Sequence, residues 1–240
     1  MTSPSSGAPG ILYVIPNLLG LVPPAHVLPP RTIEIANALA HFVVETPKSA
    51  RQYLKTLNPD RPLQSVVMSE LNEHTAAPRI PELLEPALQG HDLGLITDAG
   101  CPGVADPGAP LIAAAHRAGV KVVPLVGPSA VLLALMASGM NGQAFAFHGY
   151  LPVKPAARED ALRVLDRAAA AGPTQIFIEA PYRNDALITA LVSACRPGLR
   201  FCAAVDLTLA SEQIVCRTIA AWRAAPIALG KRPAIFLLGT

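Results

Sequence analysis

Charge, aromatic residues and cysteine are all scarce in this chain. Charged residues fill 15% of its 240 positions and aromatics 5%, while hydrophobic residues reach 51%. So low a charge beside so much apolar content excludes a chain that stays unfolded, and the length leaves room for one large domain or two smaller ones. A formal net charge of +2 is too small to select a partner through a long-range field, so it neither proposes nor excludes nucleic acid. The four cysteines, Cys101, Cys195, Cys202 and Cys216, form no C-x-x-C pair. They give no metal-ligand pattern, no metal is expected, and a reducing cytosol is the expected compartment. No apolar h-region follows the Met-Thr-Ser-Pro start.

Long apolar runs are also missing, with one exception to weigh. Val122 to Val153 contains no Asp, Glu, Lys or Arg and exceeds the length of a bilayer span. Pro124, Gly127 and Pro128 interrupt it, which leaves Val131 to Ala137, the length of a buried helix; no membrane association is expected. Equally absent are a G-x-G-x-x-G after a strand, a Walker-type phosphate loop, H-E-x-x-H and G-x-S-x-G. Nicotinamide, nucleotide-hydrolysis and hydrolase readings lose their usual support.

What is abundant is proline, 25 residues, with 17 glycines, read as loop-builders between regular elements. Residues 1–9 read as a flexible tail. Short β-rich runs then alternate with helical stretches: Ile11–Ile15, Phe42–Glu45, Ser65–Met68, Leu93–Thr97 and Lys121–Val126 read as buried strands. Arg31–Ala40, Ser49–Leu57, Pro81–Gln89 and Ala109–Ala118 read as helices, the last closed by Gly119. This pattern predicts a mostly parallel sheet covered on both faces. In the second half, strands at Phe145–Leu151, Gln175–Glu179, Arg200–Leu207, Gln213–Ile219 and Ala234–Leu238 have a connection too short for full crossovers, so that sheet is expected to be mixed. The fold class is therefore α/β in two α/β/α domains, 10–126 and 127–240, with a cleft between them as the natural ligand site.

The densest cluster of unusual residues is the run Thr97-Asp98-Ala99-Gly100-Cys101-Pro102-Gly103-Val104-Ala105-Asp106-Pro107-Gly108. It follows a strand and precedes a helix, where open α/β sheets bind ligands. Its glycines allow close backbone approach and its two aspartates offer acceptors to hydroxyls or an amino group. The plain alternative is a connection whose aspartates cap backbone amides. Gly127-Pro128-Ser129-Ala130 stands at the next strand-to-helix junction, either an anion-binding helix start or a capped hinge. Glu70, Glu73 and His74, grouped just past a strand with Asn72, are candidate proton acceptors or a solvated loop. Glu45 and Lys48 lie at another strand end. Cys101 reads as packing, since no base is evident beside it. Lys154, Arg158, Arg163 and Arg167 are phosphate contacts or a solvated helix face, and Arg183 serves the cleft or a helix end.

LITDAGCPGVADPG, VVPLVGPSA, LLALMASGM and HGYLP, spread over Leu95 to Pro152, together with GILYVIPNLLG, RIPELL and IFIEAPYR, closely resemble the tetrapyrrole methylase superfamily. Within it the resemblance is greatest to the branch that methylates a cytidine ribose 2′-oxygen in small-subunit ribosomal RNA. The resemblance implies a two-domain S-adenosyl-L-methionine-dependent methyltransferase, usually a homodimer. It places the cofactor against Pro16, Asp98, Gly100, Gly103, Val104, Asp106, Pro107, Pro128, Ser129, Ala130, Tyr150, Leu151, Ala180, Pro233 and Ala234. Two stretches depart from that branch. Glu45-Thr46-Pro47-Lys48 stands in place of Glu-Asp-Thr-Arg, and Ser69-Glu70-Leu71-Asn72-Glu73 in place of a His-Glu-His-Asn-Glu-like run. The branch's extra C-terminal region is also expected to be missing after Thr240. Cofactor features match while substrate features diverge, so the expected acceptor differs from the ribosomal cytidine ribose. An RNA acceptor, a small-molecule acceptor such as a tetrapyrrole, and cofactor binding without catalysis are the three classes left open.

Overall fold

A computed structural model describes residues 8–60 and 62–240, so residues 1–7 of the expected tail lie outside the described residues. The chain divides between Ser129 and Ala130 into two units, each with its own sheet.

In the first unit, β1 (Ile11–Val14), β2 (His41–Val44), β3 (Val67–Glu70), β4 (Leu93–Ile96) and β5 (Lys121–Pro124) form an all-parallel sheet in the order β3-β2-β4-β1-β5. Its central strands are apolar at successive positions because both faces are covered. Ile15, Phe42 and Val44 pack with α1 (Pro30–Ala38) and α2 (Pro47–Thr56), while Leu12, Val43 and Leu95 pack with α3 (Glu85–Leu88) and α4 (Ala109–Arg117). A proline opens α1 and α2, where its missing N–H costs no hydrogen bond. Gly119 closes α4 at φ +71, with Val120 N–H donating back to Ala115 O at 2.9 Å.

The third strand differs from its expected position. Ser65 belongs to a 3-10 turn after Pro62, with its hydroxyl donating to Pro62 O at 2.7 Å, so the chain enters the sheet only at Val67. Glu70 is therefore the last residue of β3, paired in register with Val44, rather than a loop residue beyond it.

The second unit holds β6 (Phe145–Tyr150), β7 (Thr174–Ile178), β8 (Arg200–Val205), β9 (Gln213–Thr218) and β10 (Ala234–Gly239) in the order β6-β7-β10-β8-β9. Only β6 and β7 run parallel; the other pairings are antiparallel, giving the mixed sheet that short connections predict. One face, with Phe177, Phe201 and Phe236, is buried against α6 (Pro155–Ala170), α7 (Asn184–Ala194) and α8 (Ile219–Ala224). Trp222 of α8 is fully buried there, its indole N–H donating to Phe201 O at 2.9 Å; each such aromatic contributes roughly 1.5–3 kcal/mol through burial. The nine-residue α5 (Ala130–Ser138) begins this unit. Among the described residues no helix is long and apolar enough to cross a membrane.

Candidate active site

Strands β1 and β4 are neighbours whose connections leave in opposite directions, β1 toward β2 and β4 toward β5. Such a switch point opens a crevice at the carboxyl ends of the strands. The glycine-rich loop after β4 lies there, and the residue that holds it is Asn17, just beyond β1. Its amide Nδ2 donates to Thr97 O at 2.8 Å and Asp98 O at 3.1 Å, and its backbone N–H donates to Gly100 O at 2.8 Å. Asn17 Oδ1 in turn accepts from Leu18 N at 2.7 Å. The side chain is buried, so these bonds work without competition from water.

The loop itself is wound by residues in the left-handed region: Gly100 at φ +70, Gly103 at +86 and Ala105 at +61. Asp106 staples the turn by accepting from Val104 N at 3.0 Å and Gly108 N at 2.6 Å. Asp106 thus acts as a backbone cap. Asp98 does not: it reaches to the neighbouring strand end, where its Oδ2 accepts from Thr46 Oγ1 at 2.8 Å and its N–H donates to Glu45 Oε2 at 3.0 Å. Burial is the main cause that lifts the Glu45 carboxyl above its usual range; the Asp98 N–H works against it, and the charges of Asp98, Asp106 and Glu73 add to it.

The loop after β5 closes the crevice. A Cβ on Gly127 would stand 2.4 Å from Pro16 Cβ, so only glycine permits this approach. Cys101 Sγ donates to Pro128 O at 3.4 Å, and Ser129 hydrogen-bonds to the same thiol, which burial pushes above its usual range. Pro16, Asp98, Gly100, Gly103, Val104, Asp106, Pro107, Pro128 and Ser129 are thereby gathered at the carboxyl ends of β1, β4 and β5. Backbone turned toward a crevice, with no side chains at Gly100 and Gly103 to fill it, suits a cofactor rich in hydroxyl and amino groups.

Glu70, Glu73 and His74 lie at the end of β3, on the outer edge of the same sheet. Glu70 accepts from the Asn72 amide, while Asn72 Oδ1 accepts from His74 N at 2.9 Å and so fixes the turn. Glu73 and His74 are both exposed and 3.6 Å apart. Among the described residues no group of three His, Cys, Asp or Glu side chains is placed to hold a metal ion.

In the second unit, Tyr150 and Leu151 at the end of β6, Ala180 just past β7, and Pro233 and Ala234 at the start of β10 share one edge of the sheet, because β10 runs against the other two. Ala130 opens α5. The same edge carries two features that sequence reading missed. Glu179 is fully buried; its Oε1 accepts from Ala180 N at 2.8 Å and from both Arg183 Nε and Nη2. Arg183 accordingly serves this carboxylate. Asp206, whose backbone N–H donates to Pro233 O at 2.9 Å, binds Arg232 Nε through Oδ2 at 2.7 Å.

A sequence profile described as Tetrapyrrole (Corrin/Porphyrin) Methylases matches residues 27–221. The chain belongs to the tetrapyrrole methylase family. As a member of this family it is an S-adenosylmethionine-dependent methyltransferase. It is 35% identical over 212 residues to a Xylella fastidiosa protein named Ribosomal RNA small subunit methyltransferase I, covering 88% of this chain and 74% of that one. A Vibrio cholerae protein of the same name is 35% identical over 178 residues, 74% of this chain and 58% of the relative. Solved structures share the fold of this tetrapyrrole methylase at lower identity. The methyltransferase CobJ superposes with a TM-score of 0.64 at 20% identity, covering 96% of this chain and 94% of that one. Uroporphyrin-III C-methyltransferase from Thermus thermophilus, in complex with S-adenosylhomocysteine, gives a TM-score of 0.56 at 18% identity, with 96% and 97% covered.

Proposed function

We propose that the methyl acceptor is ribosomal RNA, and that the enzyme works in the cytosol as a homodimer. The observation that carries the acceptor is the 35% identity, over 88% of the chain, to a relative named for small-subunit ribosomal RNA. This is the alternative that the sequence left open rather than the changed acceptor it favoured. The geometry of α2 supports it. Lys48, Arg51 and Lys55 recur at helical spacing on one exposed stripe. On the adjoining face Ser49, Gln52 and Thr56 line a depression of about 210 Å³ that ends at Asp98 and Ala99. A cationic stripe beside a hollow of mixed lining, with Leu18, Leu19 and Tyr53 for apolar contact and Ser49, Gln52 and Thr56 for hydrogen bonds, suits a nucleotide chain whose phosphates and bases are bound separately. For the dimer, α5 offers Leu132 and Met136, one turn apart and both exposed.

Bound at the loop after β4, the cofactor supplies an electrophilic methyl group on a sulfonium. Asp98, Gly100, Gly103, Val104 and Pro107, with Pro16, Pro128 and Ser129, are the residues of the first unit that would hold it. A hydroxyl acceptor must lose a proton during the displacement. Glu45 is better placed than Glu70, Glu73 or His74 to take it, because it is bonded directly to the loop and burial raises its carboxyl above its usual range. Most of the remaining acceleration comes from alignment of acceptor and methyl group.

The test is transfer of labelled methyl groups to RNA and to small-molecule fractions of a cell extract. Label in the RNA is expected, with binding that weakens roughly tenfold to twentyfold between 50 and 200 mM salt for three phosphate contacts. Arg51→Gln should flatten that salt dependence. A second reading, an acceptor other than the ribosomal ribose, is favoured by Thr46, whose hydroxyl binds Asp98 where the RNA branch resembled by this chain carries an acid. Expression in cells lacking the ribosomal enzyme, followed by mass spectrometry of the target cytidine, decides between the two.

A further inference from the structure

The second sheet carries two cysteines that methyl transfer does not use. Cys202 on β8 and Cys216 on β9 are direct partners in the antiparallel register. Such partners have Cα atoms about 4.5 or 5.5 Å apart, both within the span of roughly 4.4–6.8 Å that a disulfide bridges. Phe201, Ala203 and Val205 alternate into the main core of this unit, which places the pair on the opposite face of the sheet. Cys202 is fully buried and Cys216 only partly, so Cys216 is the residue of the two that is open to solvent.

Arg200 completes the group. Its Nη2 donates to Cys216 Sγ at 3.2 Å, and the same guanidinium is held in place by Ser138 O at 3.0 Å and Gly139 O at 3.1 Å. The Cys202 thiol is a second donor to Cys216. Chiefly through that thiol, and then through the charge and hydrogen bond of Arg200, Cys216 is lowered to about 6 despite its burial, while Cys202 is pushed up. The other two cysteines lie on the unreactive side: burial raises Cys101, and takes Cys195 up to about 12. An electropositive, partly exposed thiolate with a second sulfur in contact has the features of a redox-active pair.

We propose that Cys216 and Cys202 form a peroxide-reactive pair that closes into an intrachain disulfide, Cys216 attacking and Cys202 resolving. The Cys216 thiolate attacks one oxygen of hydrogen peroxide; an S–O bond forms, the O–O bond breaks, and hydroxide leaves to take up the proton that Cys216 released on ionising. The Cys202 sulfur then attacks the sulfenic sulfur; the S–S bond forms, the S–O bond breaks, and water leaves with the proton of Cys202. Two thiols are oxidised by two electrons and one peroxide is reduced to two waters. Arg200 keeps its two backbone carbonyl partners after the thiolate is consumed.

The full-length protein is treated with hydrogen peroxide, denatured in an alkylating agent, digested with trypsin and weighed. Arg200 and Arg217 bound a peptide with no internal Lys or Arg that contains both cysteines. It is expected to lose two hydrogens, to resist alkylation and to recover both thiols on reduction, while Cys101 and Cys195 remain alkylated throughout. Cys202→Ala, which also removes the thiol that does most to lower Cys216, should slow the attack and stop the reaction at a sulfenic acid on Cys216, trapped by dimedone. Arg200→Gln, checked for native circular dichroism, should slow disulfide formation about tenfold at pH 7 by reducing the thiolate fraction. A peptide that keeps both thiols, faster oxidation of Cys101, or a disulfide linking two chains through Cys216 overturns the proposal.

Discussion

Asn17 N–H donates to Gly100 O at 2.8 Å, an isolated antiparallel bridge between the segments that follow β1 and β4. The Asn17 side chain adds two further bonds to the carbonyls of Thr97 and Asp98. The glycine-rich loop thus does not depend on its own turns alone, and its start is tied to the neighbouring strand end.

Asn17→Ala leaves the buried Thr97 carbonyl without its donor and removes a part-buried bond to Asp98 O, a loss of about 1–3 kcal/mol in stability. It also frees the start of the loop, so affinity for S-adenosylhomocysteine should fall by more than the change in stability alone would cause. Urea denaturation and calorimetric titration measure the two effects separately; unchanged affinity in a folded variant would remove Asn17 from the site.

Gly103 and Gly127 should respond differently to a side chain. At φ +86 Gly103→Val is strained by about 1–3 kcal/mol, but its Cβ meets only the end of the Ile112 side chain, at 3.3 Å. The variant is expected to fold and to bind the cofactor at least tenfold more weakly. Gly127→Ala meets the Pro16 ring at 2.4 Å, and its melting temperature should drop below that of Gly103→Val. The reverse order in a thermal melt would contradict the crevice geometry.

Glu45 links stability to pH. Its folded carboxyl is raised above the unfolded value of 4.5, so between the two values the folded state binds more protons than the unfolded state. Stability from this group is therefore present at low pH and is lost as pH rises from about 4.5 through the raised value. Glu45→Gln, which keeps an acceptor for Asp98 N, removes that loss. Its melting temperature relative to wild type should increase from pH 4 to pH 7. Methyl transfer should fall by roughly 10²–10⁴-fold if Glu45 takes the proton.

Arg183→Ala leaves the buried Glu179 carboxylate without its cation. The expected cost is about 3–5 kcal/mol, while the double variant Glu179→Met with Arg183→Met should be much less damaging. Equilibrium denaturation of the single and double variants is the check; equal losses would show that the pair is not coupled.

The sequence alone determined the class of the fold. Short, mostly apolar strands alternating with helices point to a parallel sheet covered on both faces, and the short connections after Arg200 point to antiparallel pairing. The glycine loop was legible for the same local reason, since Gly100 and Gly103 stand where the chain turns left-handed. Only the tertiary structure decided which side chain does what. Asp98 and Asp106 look alike in sequence, yet one reaches across to Thr46 and Glu45 while the other caps its own loop. Asn17 and the Cys202–Cys216 pair carry no local signal, because their partners lie at sequence separations of 80 residues and of 14 residues across a strand pair, while Glu179 and Arg183 stand 4 residues apart and only the burial of the carboxylate sets them off. Strand order and register bring those partners together, and neither is written in any single stretch of the chain.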